Sequence, residues 1–308
     1  MKNIILSLAL LLLATVGFAQ QELQMSHYLF NGLMWNPGYS GSYKYTRFTA
    51  MYRHQWTSFP GAPRTGIFTA DMPMVHDNMG LALQLVSDHI GVSSLNEIHV
   101  NYAYQVRLNK KISLGLGIKA GISLYNAKLS DLMVWDEGDV EFDNNIRNMV
   151  IPKFGFGAYL HGENFYVGAA VPTLWAYDAD HELNININNS SWLRRHYFIS
   201  AAYVFKLTND FTFKPSTLCK YVKNAPFQGD INLTWGYKDM AFLTFGYRTN
   251  AAAMAMIEIR PMESLRIAYA FDLSTPKYLR MYGGTTHELL LGYDLATKIA
   301  KYKSPRYF

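Results

Sequence analysis

The sequence predicts an all-β fold: a transmembrane antiparallel β-barrel of about fourteen strands behind a cleaved signal peptide. Three observations predict it. The first is strict alternation, clearest in Ile112, Leu114, Leu116, Ile118, Ala120, Ile122 and Leu124 against Ser113, Gly115, Gly117, Lys119, Gly121 and Ser123. A period of two is a strand with one apolar and one small or polar face; a helix stripe needs apolar residues three and four apart. The second is length: several strands reach the ~9–11 residues that cross a tilted bilayer path, against about 5–6 in a soluble sandwich. The third is the connections, which alternate between tight turns and longer loops, as in barrels with turns in the periplasm and loops outside.

The elements follow in order. Lys2, the apolar run 4–14 and Gly17-Phe18-Ala19 form a secretory signal, so the mature chain is expected to begin near Gln20. No Cys follows that run, which argues against a lipoprotein anchor, and no later run approaches the ~18 apolar residues of a membrane helix. The domain reading is 1–19 signal peptide, 20–46 an N-terminal periplasmic or plug segment, 47–295 the barrel, and 296–308 a basic periplasmic tail. The strands are read at 47–56, 65–74, 79–87, 97–108, 112–124, 152–161, 164–173, 196–207, 211–222, 230–237, 240–248, 252–260, 265–273 and 287–295. Short turns are read after even strands, at 75–78, 109–111, 162–163, 208–210, 238–239 and 261–264. Longer loops are read at 57–64, 88–96, 125–151, 174–195 and 274–286, with shorter ones at 223–229 and 249–251. An even count returns the C-terminus to the side on which the first strand began, giving periplasmic N- and C-termini.

Composition agrees. Of 308 residues, 22 are Tyr, 18 Phe and 6 Trp, and only 17% are charged, below the roughly 25% of soluble domains. Backbone groups in a bilayer must all be bonded, so a strand protein there closes on itself. The apolar face then meets outer-membrane lipid and the polar face lines the lumen, with Tyr102, Tyr104, Trp235, Tyr237 and Tyr293 placed for interfacial girdles. Cys219 is the single cysteine, so no internal disulfide forms. The net charge of +5 is diffuse; no basic run interleaves with aromatics as a nucleic-acid groove would.

Chemistry-bearing motifs are sparse. Asp136, Glu137, Asp139, Glu141 and Asp143 cluster without EF-hand spacing and read as a solvated loop. Asn184-Ile-Asn-Ile-Asn-Asn-Ser-Ser191 reads as a loop strand or tip. No G-x-S-x-G elbow and no His pair at i, i+4 beside a Glu occurs, so no enzyme activity, cofactor or metal is expected. The tail carries Lys298, Lys301, Lys303 and Arg306.

The opening segment is more specific. Gln24-Met-Ser-His-Tyr28-Leu-Phe30-Asn31, then Trp35-Asn36-Pro37-Gly38-Tyr39-Ser-Gly41, then Arg53-His-Gln55-Trp56, then Gly61-Ala62-Pro63-Arg-Thr65 resemble the PorP/SprF family of the Bacteroidetes type IX secretion and gliding machinery. Gly283-Gly284-Thr-Thr-His287-Glu288 is similar to that family's closing strand. Gly38 departs from the family's Ala. Asn36-Pro37 is a turn initiator and Pro60-Gly61 with Pro63 a rigid outer turn. The resemblance implies a non-enzymatic outer-membrane component of secretion or gliding motility. Its implied partners are periplasmic lipoproteins, a peptidoglycan-binding OmpA-like protein, and secreted cargo or a surface adhesin. The motif residues would serve structure or partner binding. A lumen this wide is plugged or conducts; the segment 20–40 and loops 125–151 and 174–195 are the candidate plugs, and a general diffusion porin is the alternative.

Overall fold

The computed structural model describes residues 23–43, 45–74, 78–131, 145–176, 195–223 and 225–295. The signal peptide, the acidic residues 136–143, the Asn-rich 184–191 and the basic tail lie outside them. Alternating sequence becomes β1 (Thr46–His54), β2 (Arg64–Pro73), β3 (Met79–Ile90), β4 (Ser93–Arg107), β5 (Ser113–Ala127), β6 (Ile146–His161) and β7 (Phe165–Ala176). Then follow β8 (His196–Tyr203), β9 (Phe205–Lys206), β10 (Phe211–Val222), β11 (Gln228–Tyr237), β12 (Ala241–Arg248), β13 (Ala252–Met262), β14 (Leu265–Ser274) and β15 (Thr285–Leu295). Neighbours pair antiparallel, β10 pairs with β11, and β15 pairs with β1, so the sheet closes. Strands β8 and β9 form one pass, giving fourteen passes. The pass is interrupted at Val204, which points inward in the ordinary alternation and packs on Phe242.

The outward face is the apolar one. Ile118, Ile231, Leu243 and Leu291 are between 44% and 62% exposed, while their alternating neighbours Lys119, Asp230, Asn232 and Thr244 are buried inside. Tyr104, Trp235, Tyr237 and Tyr293, with Tyr203, Phe205 and Phe211, ring the short-turn rim as exposed outward aromatics, while Tyr102 is half-buried.

Three sequence readings are corrected. The connection read as 88–96 is the two-residue turn Gly91-Val92, because β3 runs to Ile90 and β4 starts at Ser93. Likewise β5, β6 and β7 extend to Ala127, from Ile146 and to Ala176. Several outward residues at these strand ends are polar, with Ser87 Oγ bonded to Asn96 Oδ1 at 2.8 Å and Asn148 N to Asn126 Oδ1 at 2.7 Å, although Val150 is outward and exposed. A search for apolar outward positions therefore ends the strands too early. The inward face is not wholly polar either: Met51, Ile67, Val86, Phe198, Leu218, Met256 and Leu290 point inward and form one apolar cluster. Its partners are Met25, Tyr28, Leu29, Phe30 and Trp35, from the chain ahead of β1.

Candidate functional site

Residues 23–43 occupy the barrel interior as three short 3₁₀ turns, Ser26–Phe30, Gly32–Met34 and Pro37–Tyr39. Asn31 and Asn36 cap the second and third turns, their side-chain oxygens accepting from Leu33 N and Gly38 N. The segment crosses the lumen. It joins β1 at the short-turn rim, and its amino-terminal part bonds to residues near the long-loop ends of β1, β14 and β15.

At the long-loop end, Ser26 N donates to both Glu288 oxygens at 2.8 and 2.9 Å, and His27 N donates to Glu288 Oε2 at 3.0 Å. Ser26 Oγ donates to both Asp272 oxygens at 3.0 and 2.8 Å. Arg53 bonds Asp272 at 3.1 Å and also pairs with Glu288. His27 Nδ1 lies 3.1 Å from Glu288 Oε2. Ser26, His27 and Glu288 are all fully buried. Two buried carboxylates and one guanidinium leave excess acceptor capacity, and the segment's N–H and O–H groups fill it.

Midway, Asn232 Nδ2 donates to Tyr28 OH at 2.8 Å and Asn31 Nδ2 to Thr69 Oγ1 at 2.9 Å. Near the short-turn rim the segment lies directly on strand backbone. A Cβ on Gly117 would sit 2.3 Å from Pro37 C, one on Gly115 2.1 Å from Gly38 O, and one on Gly157 2.1 Å from Asn36 Oδ1. These strand glycines, with Gly80 under Gly41, form a bed that no side chain could line. Asn36 Nδ2 donates to Ala158 O at 2.9 Å, Gly41 N to Asp71 Oδ1 at 2.8 Å, and Gln105 Nε2 to Ser40 O at 2.9 Å. Tyr39 OH donates to Tyr43 OH at 2.7 Å and packs edge-on against Tyr159.

The remaining motif residues build a clasp at the long-loop rim. Gln55 N bonds Pro63 O at 2.9 Å, Trp56 N bonds Thr286 Oγ1 at 3.2 Å, and Gly91 N bonds Gly61 O at 2.9 Å. Ser58 N bonds Gly283 O at 3.2 Å and Ala62 N bonds Phe59 O at 3.2 Å. Gly284, at φ +70, sits against Ser58. Between β14 and the clasp lies one short helix, α1 (Lys277–Tyr282). Thr65 Oγ1 donates to Asp88 at 2.6 Å.

The motif residues thus fall into two groups. Tyr28, Phe30, Asn31, Asn36, Pro37, Tyr39, Gly41, Arg53 and Glu288 belong to the lumenal segment and its seat; Gln24 is half-buried at its start. Gln55, Trp56, Gly61, Ala62, Pro63, Gly283 and Gly284 belong to the clasp. His287 joins neither interior group, since it sits on the outward side beside Tyr269 OH at 2.6 Å. Sequence reasoning did not single out Asp272, Gln105, or the Asp230–Arg248 pair, bonded at 2.9 and 3.0 Å. Asp230 and Arg248 are register partners on adjacent strands, and that signal was available once the hairpin was placed. Among the described residues no cluster of three or more His, Cys, Asp or Glu could hold a metal ion.

The model of the family described as type IX secretion system membrane protein PorP/SprF matches residues 17–293. The chain belongs to the PorP/SprF family. No curated protein sequence matches this PorP/SprF member. Among solved structures it is similar to the CymD monoaromatic hydrocarbon channel, at 9% identity and TM-score 0.48 over 89% of this chain and 93% of that one. It is similar to the toluene transporter TodX of P. putida, at 9% identity and TM-score 0.46 over 89% and 95%. It is also similar to the KdgM porin, at 9% identity and TM-score 0.39 over 81% and 99%.

Proposed function

We propose that this PorP/SprF barrel is a non-enzymatic outer-membrane component of the type IX secretion or gliding machinery, acting as anchor and docking site. In this reading the short-turn rim and the basic tail 296–308 face the periplasm and meet lipoproteins and a peptidoglycan-binding OmpA-like protein. The long-loop rim faces outward and meets secreted cargo or an adhesin. The motif residues act through structure, seating the lumenal segment and bracing the rim. The expected periplasmic amino terminus concerns residues ahead of Leu23, outside the described ones.

The observation that carries this reading is the occupied lumen. A general diffusion porin needs an open water path, whereas here residues 25–33 and 35–40 of the chain itself are buried inside the barrel. A docking protein needs only a rigid, membrane-held scaffold.

The test is isolation of a tagged copy from detergent-solubilised outer membrane, with co-purifying proteins identified. Recovery of a secretion lipoprotein, a peptidoglycan-binding protein or a surface adhesin is expected. A partner-free barrel that gives large, stable conductance steps would overturn the docking reading in favour of the porin.

A further inference from the structure

Most inward charges of the barrel wall are paired with each other, not with the segment they surround. Arg248 bonds Asp230 at 2.9 Å and Arg260 bonds Glu258 at 2.8 Å, while Arg47 bonds Asp294 at 3.1 Å and also lies over the segment's Tyr43 ring. Lys153 pairs with Glu97. These pairs stay bonded when water replaces the segment; what withdrawal costs is the wetting of the inward apolar patch, Met51, Ile67, Val86, Phe198, Leu218, Met256 and Leu290, on which the segment packs.

The segment itself is asymmetrically held. Its carboxyl end continues into β1 at Thr46, at the short-turn rim. At the other end no covalent bond joins it to the wall. There Ser26 and His27 donate to Asp272 and Glu288, whose one wall cation is Arg53. These donors are exchangeable for water, and the 3₁₀ turns between the ends are too short to resist unwinding by themselves. A segment tied at one rim and bonded at the other can leave only through the rim where it is tied.

We propose that the barrel is a gated pore. Residues 23–43 are a plug that withdraws through the short-turn rim, and the Asp272–Glu288–Arg53 cluster is the latch that keeps it seated. The opened lumen carries both signs of charge on its wall and passes hydrated small ions and solutes. The inference goes beyond docking: a docking protein can keep its plug permanently.

Planar-bilayer recording in potassium chloride tests it. The wild-type chain is expected to stay silent. The variant Asp272→Asn with Glu288→Gln keeps the shape but weakens the acceptors, and is expected to open at least about tenfold more often. A second protein guards against misfolding: Ser26→Cys with Asp272→Cys, in a Cys219→Ser background, bridged by a reducible bis-thiosulfonate. Recorded before and after reduction, the same molecules should be silent when bridged and conducting when released. Equal conductance in both states, or silence of both proteins after release, would overturn the latch and leave docking untouched. Stable conductance of the wild type at rest would instead count against the occupied-lumen reading.

Discussion

Adding one methyl group at Gly117 is expected to unseat the lumenal segment. The new Cβ would lie 2.3 Å from Pro37 C and 2.4 Å from Gly38 N. Carbon contacts are comfortable at ~3.5–4.0 Å, so the gap is short by more than 1 Å, and both neighbours are backbone atoms that cannot rotate away. Overpacking of this kind costs about 1–3 kcal/mol. Gly66 is the matched control, since the nearest atom to its added Cβ is Ser87 O at 4.0 Å. There Ala should stabilise the strand by roughly 0.5–1 kcal/mol through lost chain freedom. The two alanine variants should therefore differ by roughly 1.5–4 kcal/mol. Amide hydrogen exchange in detergent micelles reads the difference at Gly38 and Gly41, whose N–H groups bond Asn36 and Asp71. About 2 kcal/mol corresponds to roughly thirtyfold faster exchange. The same reasoning makes Gly38→Ala intermediate, because its Cβ would meet Gly115 O and Gly157 O at 2.8 and 2.9 Å. If Gly117→Ala and Gly66→Ala protect these amides equally, the glycine bed is not what seats the segment.

Four further outcomes are expected. Gln105→Ala strips the donor from Gly38 O and Ser40 O and should cost about 1–3 kcal/mol for unsatisfied buried carbonyls, read as a lower urea midpoint. Arg248→Met strands the fully buried Asp230 carboxylate and should cost about 3–5 kcal/mol. Pairing it with Asp230→Leu should restore part of that loss in a double-mutant cycle. Ile118→Arg places a charge on an outward, 58% exposed mid-strand position and should cost about 2–4 kcal/mol in bilayers, with no penalty in a water-facing site. Lys238 and Asp239 form a two-residue turn at φ 51° and 54°. Replacing them by Asn-Gly should raise the unfolding midpoint, because those residues take positive φ more readily.

Alternation made the barrel legible, because lipid on one side and lumen on the other act on every second residue along a strand. The lumenal contacts were less legible, for reasons visible in particular residues. Gly115 and Gly117 stood out as small, yet nothing local says that Pro37 and Gly38 lie on them. Arg53 and Glu288, 235 positions apart, meet only because β15 closes on β1. Both were marked by motif resemblance, whereas Asp272, which shares their site, carried no such mark. An inward Asp on an alternating strand looks the same whether it meets water or a buried serine. The extensions of β4 to β6 were missed for the opposite reason, since above the lipid the outward residues no longer need to be apolar.

Those extensions give the barrel a front and a back. At ~3.3 Å per residue and a tilt of ~40°, the 16 residues of β6 rise roughly 40 Å, and the 8 residues of β12 roughly 20 Å. The apolar band they cross is only ~25 Å tall. At β6 the sheet therefore stands clear of the lipid as a screen, while at β12, farther round the barrel, it ends near the membrane surface. A large molecule arriving in the plane of the membrane from the β6 side meets this screen first. Rotation about the barrel axis then matters: a neighbour bound to one flank fixes the bearing from which everything else can approach.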